Sequence, residues 1–405
     1  MNKTSNKFRH LVWPLVSLAL LLLFNAIFTD NFFKIEIKKQ DTVKETVQLP
    51  SVPDELTVSA EEAAAQAEAA IEAPAEQAPA EQAPAKESKG VSIFGYYLYG
   101  TPIDILNQGA KVMVLAIGMT LVIATGGIDI SVGAVMAIAG AIAALLISLL
   151  DAGKCPGAGM GPEFYWIIPV LAALLLATIA GFWNGMLVAG FGIQPMVATL
   201  VLMVAGRGVA QLITDGQIIT FDNPGLVFLC NGHALFLPFS VWIVISMYVV
   251  AGLLTRKTAL GLFIESVGNN ERASRYAGIE ARRIKWFTYV ICGFCAGVAG
   301  LLAASNIKCA DSNNAGLYLE LDAILATVIG GTSMAGGRFF LSGSLVGAIL
   351  IQTLTTTMYM KNVSPAIVAV PKAMVVIIVC LLQSPVFRAK VLSIFASKAA
   401  KGGVQ

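Results

Sequence analysis

Cys292 and Cys295, three positions apart, have the spacing of a metal-ligand pair. No further ligands accompany them. They fall inside a predicted apolar helix, and the two histidines, His10 and His233, have no ligand spacing. Nucleotide chemistry is equally unsupported. The chain lacks G-x-x-x-x-G-K-[ST], and so lacks the backbone cradle and lysine that hold phosphates. Leu341-Ser342-Gly343-Ser344 superficially resembles an ATPase signature, but it opens an apolar span. No nucleophile, base and orienting acid can be assembled. These residues predict a non-catalytic chain with no metal and no bound cofactor.

The remaining polar groups suit contact rather than reaction. One polar stretch reads Glu265-Ser266-Val267-Gly268-Asn269-Asn270-Glu271-Arg272-Ala273-Ser274-Arg275-Tyr276-Ala277-Gly278-Ile279. Asn270 can cap a short helix over 271–277, and Gly278 supplies a left-handed stop. Arg272 and Arg275, three apart, would then share one basic face. Two readings stand: a helix that docks into a cleft of a soluble partner, or a basic anchor that only fixes topology.

Two glycine-rich interruptions follow similar apolar runs. One is Thr125-Gly126-Gly127-Ile128-Asp129-Ile130-Ser131-Val132-Gly133; the other is Ile329-Gly330-Gly331-Thr332-Ser333-Met334-Ala335-Gly336-Gly337-Arg338. Transporters use broken helices at matching places in two halves to expose backbone groups to a pathway. The alternative is close helix packing, which small residues also serve. Asp129 and Arg338 are expected near the cytoplasmic surface. Arg207, in Gly206-Arg207-Gly208, is the main charge inside a span, at about 2.5 to 3.5 kcal/mol if central. Lys111, Asp322 and Lys372 fall nearer predicted ends. Coupling to protons or sodium therefore lacks its usual acids, and the energy source is expected on another subunit.

The elements that hold these residues must be transmembrane helices. Of 405 residues, 57% are hydrophobic and 13% charged, about half the charge of soluble domains. Mean hydropathy is +0.76. A net charge of +2 with no basic, aromatic-laced block gives no nucleic-acid surface. Ten apolar runs approach the roughly 20 residues a bilayer requires: 11–28, 112–128, 132–150, 165–189, 195–213, 240–254, 286–304, 323–335, 339–358 and 367–382. Three are short or glycine-broken. The fold class is thus all-α, a polytopic transmembrane helical bundle with about ten spans, some discontinuous. The first run is read as a retained span, since Asn31-Phe32-Phe33 is no small-residue cleavage site. Basic residues set orientation. Seven lie in 256–285 (Arg256, Lys257, Arg272, Arg275, Arg282, Arg283, Lys285), and the tail adds Arg388, Lys390, Lys398 and Lys401. Both regions fall in the cytoplasm if the N-terminus does.

The chain divides into 1–29, a cytoplasmic N-terminus and first helix; 30–100, an extracytoplasmic insertion; 101–385, the transmembrane core with its loop 256–285; and 386–405, a cytoplasmic tail. Within the insertion, 59–89 is mostly Ala, Glu, Gln and Pro, and Ala75-Glu76-Gln77-Ala78-Pro79 repeats as Ala80-Glu81-Gln82-Ala83-Pro84. Ser59 with Glu62 makes a capping box for a short helix, after which recurrent prolines break the pattern. A docking arm, a spacer and an inserted disordered loop all remain open. Cys155, Cys230 and Cys309 fall in predicted outward loops, where an oxidising compartment permits a disulfide.

The run Ala116-Ile117-Gly118-Met119-Thr120-Leu121-Val122-Ile123-Ala124-Thr125-Gly126-Gly127-Ile128-Asp129-Ile130-Ser131-Val132-Gly133 resembles the permeases of ribose/galactose-type ATP-binding cassette (ABC) sugar importers. So do Gln194-Pro195-Met196-Val197-Ala198-Thr199-Leu200, Met203-Val204-Ala205-Gly206-Arg207-Gly208 and the loop 265–279. The stretch Asp311-Ser312-Asn313-Asn314-Ala315-Gly316-Leu317-Tyr318-Leu319-Glu320-Leu321-Asp322-Ala323-Ile324 is similar to the galactofuranose-importer branch. The likeness covers roughly 102–383.

It implies a subunit of the inner membrane that pairs with a second permease, identical or related. It also implies a cytoplasmic ATPase that uses ATP and Mg and a soluble extracytoplasmic sugar-binding protein. Glu265, Gly268, Asn269, Glu271, Arg272, Ala273, Arg275 and Gly278 would form the ATPase-coupling loop. Gly126, Gly127, Asp129, Arg207, Gly330 and Gly331 would lie at a pathway or gate. Sugars are neutral polyols, so amide and hydroxyl side chains suit them. Asn184, Gln194, Thr199, Gln211 and Asn314 are candidates, each of which could equally bond a neighbouring helix. A stand-alone sugar transporter is the competing class.

Overall fold

A computed structural model of the chain describes residues 9–29, 32–39, 96–151 and 165–364, with 367, 368, 370, 372–374 and 377 beyond them. The capping box and repeats of 59–89, Cys155 and the basic tail lie outside the described residues.

Helix α1 (Arg9–Phe28) leads to β1 (Glu36–Lys39), which pairs antiparallel with β2 (Tyr96–Tyr99). Glu36 stands opposite Tyr99, and Lys39 opposite Tyr96. Then come α2 (Thr101–Ala124), α3 (Val132–Asp151), α4 (Ile167–Gly185) with a π-helical turn Met186–Gly190, and α5 (Pro195–Ile213). Strand β3 (Ile219–Thr220), α6 (Pro224–Asn231) and the hairpin β4 (His233–Ala234) and β5 (Leu237–Pro238) precede α7 (Phe239–Arg256). The polar loop holds α8 (Leu260–Asn269) and α9 (Glu271–Tyr276). After α10 (Ala281–Ile307), β6 (Cys309–Ala310) pairs with β3, and α11 (Leu319–Ile329) and α12 (Leu341–Met360) follow.

Proline and glycine punctuate this order. Pro102, Pro195 and Pro224 stand in the first turns of α2, α5 and α6, where a missing N–H costs nothing. Among the described residues, seven helices are long and apolar enough to cross a membrane: α2, α3, α4 with its π turn, α5, α7, α10 and α12. The first predicted run is α1. The run placed at 323–335 is the eleven-residue α11, about 16 Å long and too short to cross alone. The run 367–382 is only partly within the described residues. The run placed at 112 actually begins at Thr101; its first turns are polar, which hid them from a hydropathy reading.

The bundle is built around α2, α3 and α10. Of their apolar windows, 78%, 78% and 72% are buried, against 22% for α5, so α5 is peripheral. Small residues allow the central crossings. A methyl on Gly118 would lie 3.0 Å from Cys292 Cα and Cys295 Cβ, and one on Gly293 only 2.7 Å from Gly181 Cα. The C-x-x-C is therefore a packing seam, with both thiols free and buried. Cys230 and Cys309 are also free, the former buried at the end of α6.

Candidate functional site

The polar loop folds much as its local signals predict. Asn270 is extended between α8 and α9, and its Oδ1 accepts the Ala273 N–H at 3.0 Å. Gly278 takes the left-handed conformation at φ +84°. The basic face differs from the simple expectation. Arg275 donates to Glu271 at 2.7 Å, and Lys285, from the first turns of α10, donates to the same carboxylate at 2.6 Å. Arg272 is exposed, and Tyr276 projects from the tip, 94% exposed.

Hydrogen bonding and charge from Lys285, then Arg275, hold the Glu271 carboxyl below its ordinary 4.5. Because the folded value is lowered, the stabilisation is present above pH 4.5 and lost as pH falls through that lowered value. Hydrogen exchange of the 271–277 amides should therefore show protection that is flat from neutral pH to 5 and falls in more acid solution. Glu271→Gln should remove that dependence.

The two glycine interruptions, far apart in sequence, meet beneath this loop. The Gly337 N–H donates to the carbonyl of Ala124, the last residue of α2, at 2.9 Å. Gly126, Gly331, Gly336 and Gly337 all have positive φ, between +79° and +90°. Helix α8 ends on the same spot. A methyl on Gly268 would collide with the Ala124 carbonyl oxygen and lie 2.5 Å from Gly337 N; one on Gly336 would lie 2.8 Å from Gly268 O. Gly330 packs against the backbone of Gly343 in α12. The arrangement is a three-way backbone junction of the loop and both turns.

Behind the junction, Asp129 is 1% exposed, so its charge is shielded from solvent. Its Oδ1 accepts Ser131 N–H at 3.0 Å, Ser131 Oγ–H at 2.6 Å and Asn184 Nδ2 at 3.3 Å. The turn curls inward, and these donors replace water around the carboxylate. Asn184 also donates to Ser131 Oγ at 2.8 Å. The Thr199 and Tyr289 hydroxyls both reach the Ile128 carbonyl at 3.4 Å, and a methyl on Gly127 would meet the Tyr289 hydroxyl at 2.6 Å. Asn184 and Thr199 thus clamp the turn. Arg338 is exposed.

Arg207, Gln211 and Asn314 gather toward the opposite end. Arg207 Nη1 donates to the carbonyls of Ser312 at 3.1 Å and Ala315 at 2.5 Å. Gln211 donates to Asn313 at 2.7 Å, and Asn314 to Asp311 at 2.7 Å. These bonds pin the loop before α11, whose Gly316, at φ +73°, crosses Gly133 backbone to backbone. Gln194 stands exposed before α5. Ser131 and Lys285 enter the sequence reading only as parts of the turn and the basic loop, and Tyr289 is not singled out in it. Only Ser131 left a local signal, the turn-forming Asp-x-Ser spacing.

Residues 101–382 match the family described as branched-chain amino acid transport system / permease component. The chain belongs to this family. The permease is 55% identical over 290 residues to the galactofuranose transporter permease protein YtfT of Escherichia coli, covering 72% of this chain and 81% of that protein. It is 41% identical to the fructose import permease protein FruF of Bifidobacterium longum, over 71% and 78% of the two chains. With the ribose import permease protein RbsC of Haemophilus influenzae it shares 36%, over 69% and 83%. No solved structure matches. The permease is a multi-pass membrane protein, and the expected likeness over roughly 102–383 agrees with the matched span.

Proposed function

We propose that this permease is the membrane-spanning subunit of an ABC importer that carries a small monosaccharide, galactofuranose or a galactose- or ribose-like sugar, across the bacterial inner membrane. The observation that carries the reading is the seating of a capped, exposed two-helix loop on both glycine turns. A partner that moves the loop would move both turns. The names of the relatives support the sugar class. Both termini and the loop 256–285 are cytoplasmic in this reading. ATP and Mg are used by a separate cytoplasmic ATPase that docks on Arg272, Arg275 and Tyr276. A second permease completes the pathway, and an extracytoplasmic binding protein delivers the sugar.

The test is uptake of labelled sugars in whole cells, comparing the parent chain with Arg272→Glu plus Arg275→Glu. Both uptake and co-purification of the ATPase should collapse at unchanged membrane abundance. Undiminished uptake in cells without the ATPase would instead make this a self-sufficient transporter.

A further inference from the structure

The polar first turns of α2 form one face. Asp104, Asn107, Gln108 and Lys111 recur at helical spacing, and their exposure decreases with depth. Asp104 is exposed, Asn107, Gln108 and Lys111 are half-buried, and every residue from Val112 to Ala124 is buried. Exposed surface along this face therefore ends at Lys111. Asn306 of α10 joins the face, donating from Nδ2 to Gln108 Oε1 at 2.7 Å, and Lys111 Nζ donates to the same oxygen at 3.3 Å. Ser240 of α7 holds Asn107 through its Oδ1.

Hydrogen-bonding capacity remains unused. An ammonium has three donors, and among the described residues Lys111 has one partner. The amide nitrogens of Asn107 and Gln108 and the Asn306 Oδ1 have none among those residues. A cation this deep in a transmembrane helix, without a contacting carboxylate, is costly and marks function by default. Donors and an acceptor gathered on one partly exposed polar face match hydroxyl groups, which both give and accept hydrogen bonds. The exposed Asp104 carboxylate, two turns before Lys111, disfavours anions.

We infer that the polar cluster centred on Lys111 is a binding station for a neutral polyhydroxylated ligand, at the bundle end opposite the polar loop. Resting on the function proposed above, that ligand is the transported sugar after its release from the binding protein. Lys111 and Gln108 contact it, and Ser240 positions Asn107.

The test uses the complete importer in vesicles. Lys111→Met and Gln108→Leu should each lower sugar uptake about tenfold, the value of one hydrogen bond with a charged or well-placed partner. Complex assembly and the ATP hydrolysis stimulated by loaded binding protein should persist. Uptake unchanged in both variants overturns the inference, as does a uronic acid competing better than its neutral sugar. Labelling provides a measurement independent of transport. A thiol introduced by Lys111→Cys should react with a small hydrophilic methanethiosulfonate reagent, above the background of the parent chain, whereas one from Leu115→Cys, one turn deeper, should not. An unreactive Lys111→Cys also overturns it. A parent importer that moves no sugar would sink the proposed function, while the labelling would still decide whether Lys111 is accessible.

Discussion

Gly268→Ala should abolish uptake and destabilise the protein by about 3 kcal/mol, the upper end of overpacking penalties. The added methyl meets backbone on two sides, the Ala124 carbonyl oxygen and Gly337 N, and backbone cannot rotate aside as a flexible side chain would. Either α8 lifts off the junction or the Ala124–Gly337 hydrogen bond breaks. At 1.4 kcal/mol per decade, 3 kcal/mol is about a hundredfold in the population of the seated loop. Gly252→Ala is the control, since a methyl there meets nothing within 4 Å and improves helix propensity. The measurements are the unfolding midpoint in detergent and sugar uptake. A Gly268→Ala protein as stable and active as the Gly252→Ala protein would show that the junction does not constrain the loop.

Asp322→Ala should cost about 3 to 5 kcal/mol, as breaking a buried ion pair does. Asp322 Oδ2 accepts from Lys372 Nζ at 2.6 Å, with side chains only 13% and 16% exposed. The pair ties α11 to the segment beyond α12. Removing the carboxylate strands an ammonium in an apolar surrounding. The double variant Asp322→Asn plus Lys372→Met should recover most of the loss, because two neutral groups leave no buried charge. A double-mutant cycle on unfolding midpoints measures the coupling. Additive single effects would show that the pair is not coupled.

Local features were legible in the sequence, and long-range ones were not. The Asn270 cap and Gly278 stop require only neighbours within a few positions, so their residue types announced them. Continuous apolar runs located the crossing helices. The same criterion missed the start of α2, because Asn107 and Gln108 find partners on α7 and α10. The burial of Asp129 was hidden for a similar reason: Asn184, which helps to bury it, lies 55 positions away. Composition identified both glycine interruptions, yet their meeting depends on a hydrogen bond between Ala124 and Gly337. No local pattern encodes such a bond. Where side chains found distant partners, their type alone left role and depth open.

The ribbon of β1 and β2 has a consequence for chain length. Lys39 faces Tyr96 across it, so the ends of the intervening segment are held about 5 Å apart. In polymer terms the ribbon closes a ring, and closure entropy in general grows only with the logarithm of ring size. Each doubling costs about 0.6 kcal/mol. Lys39 and Tyr96 are thus fixed anchor points, and their spacing is set by the ribbon itself and not by the number of residues between them.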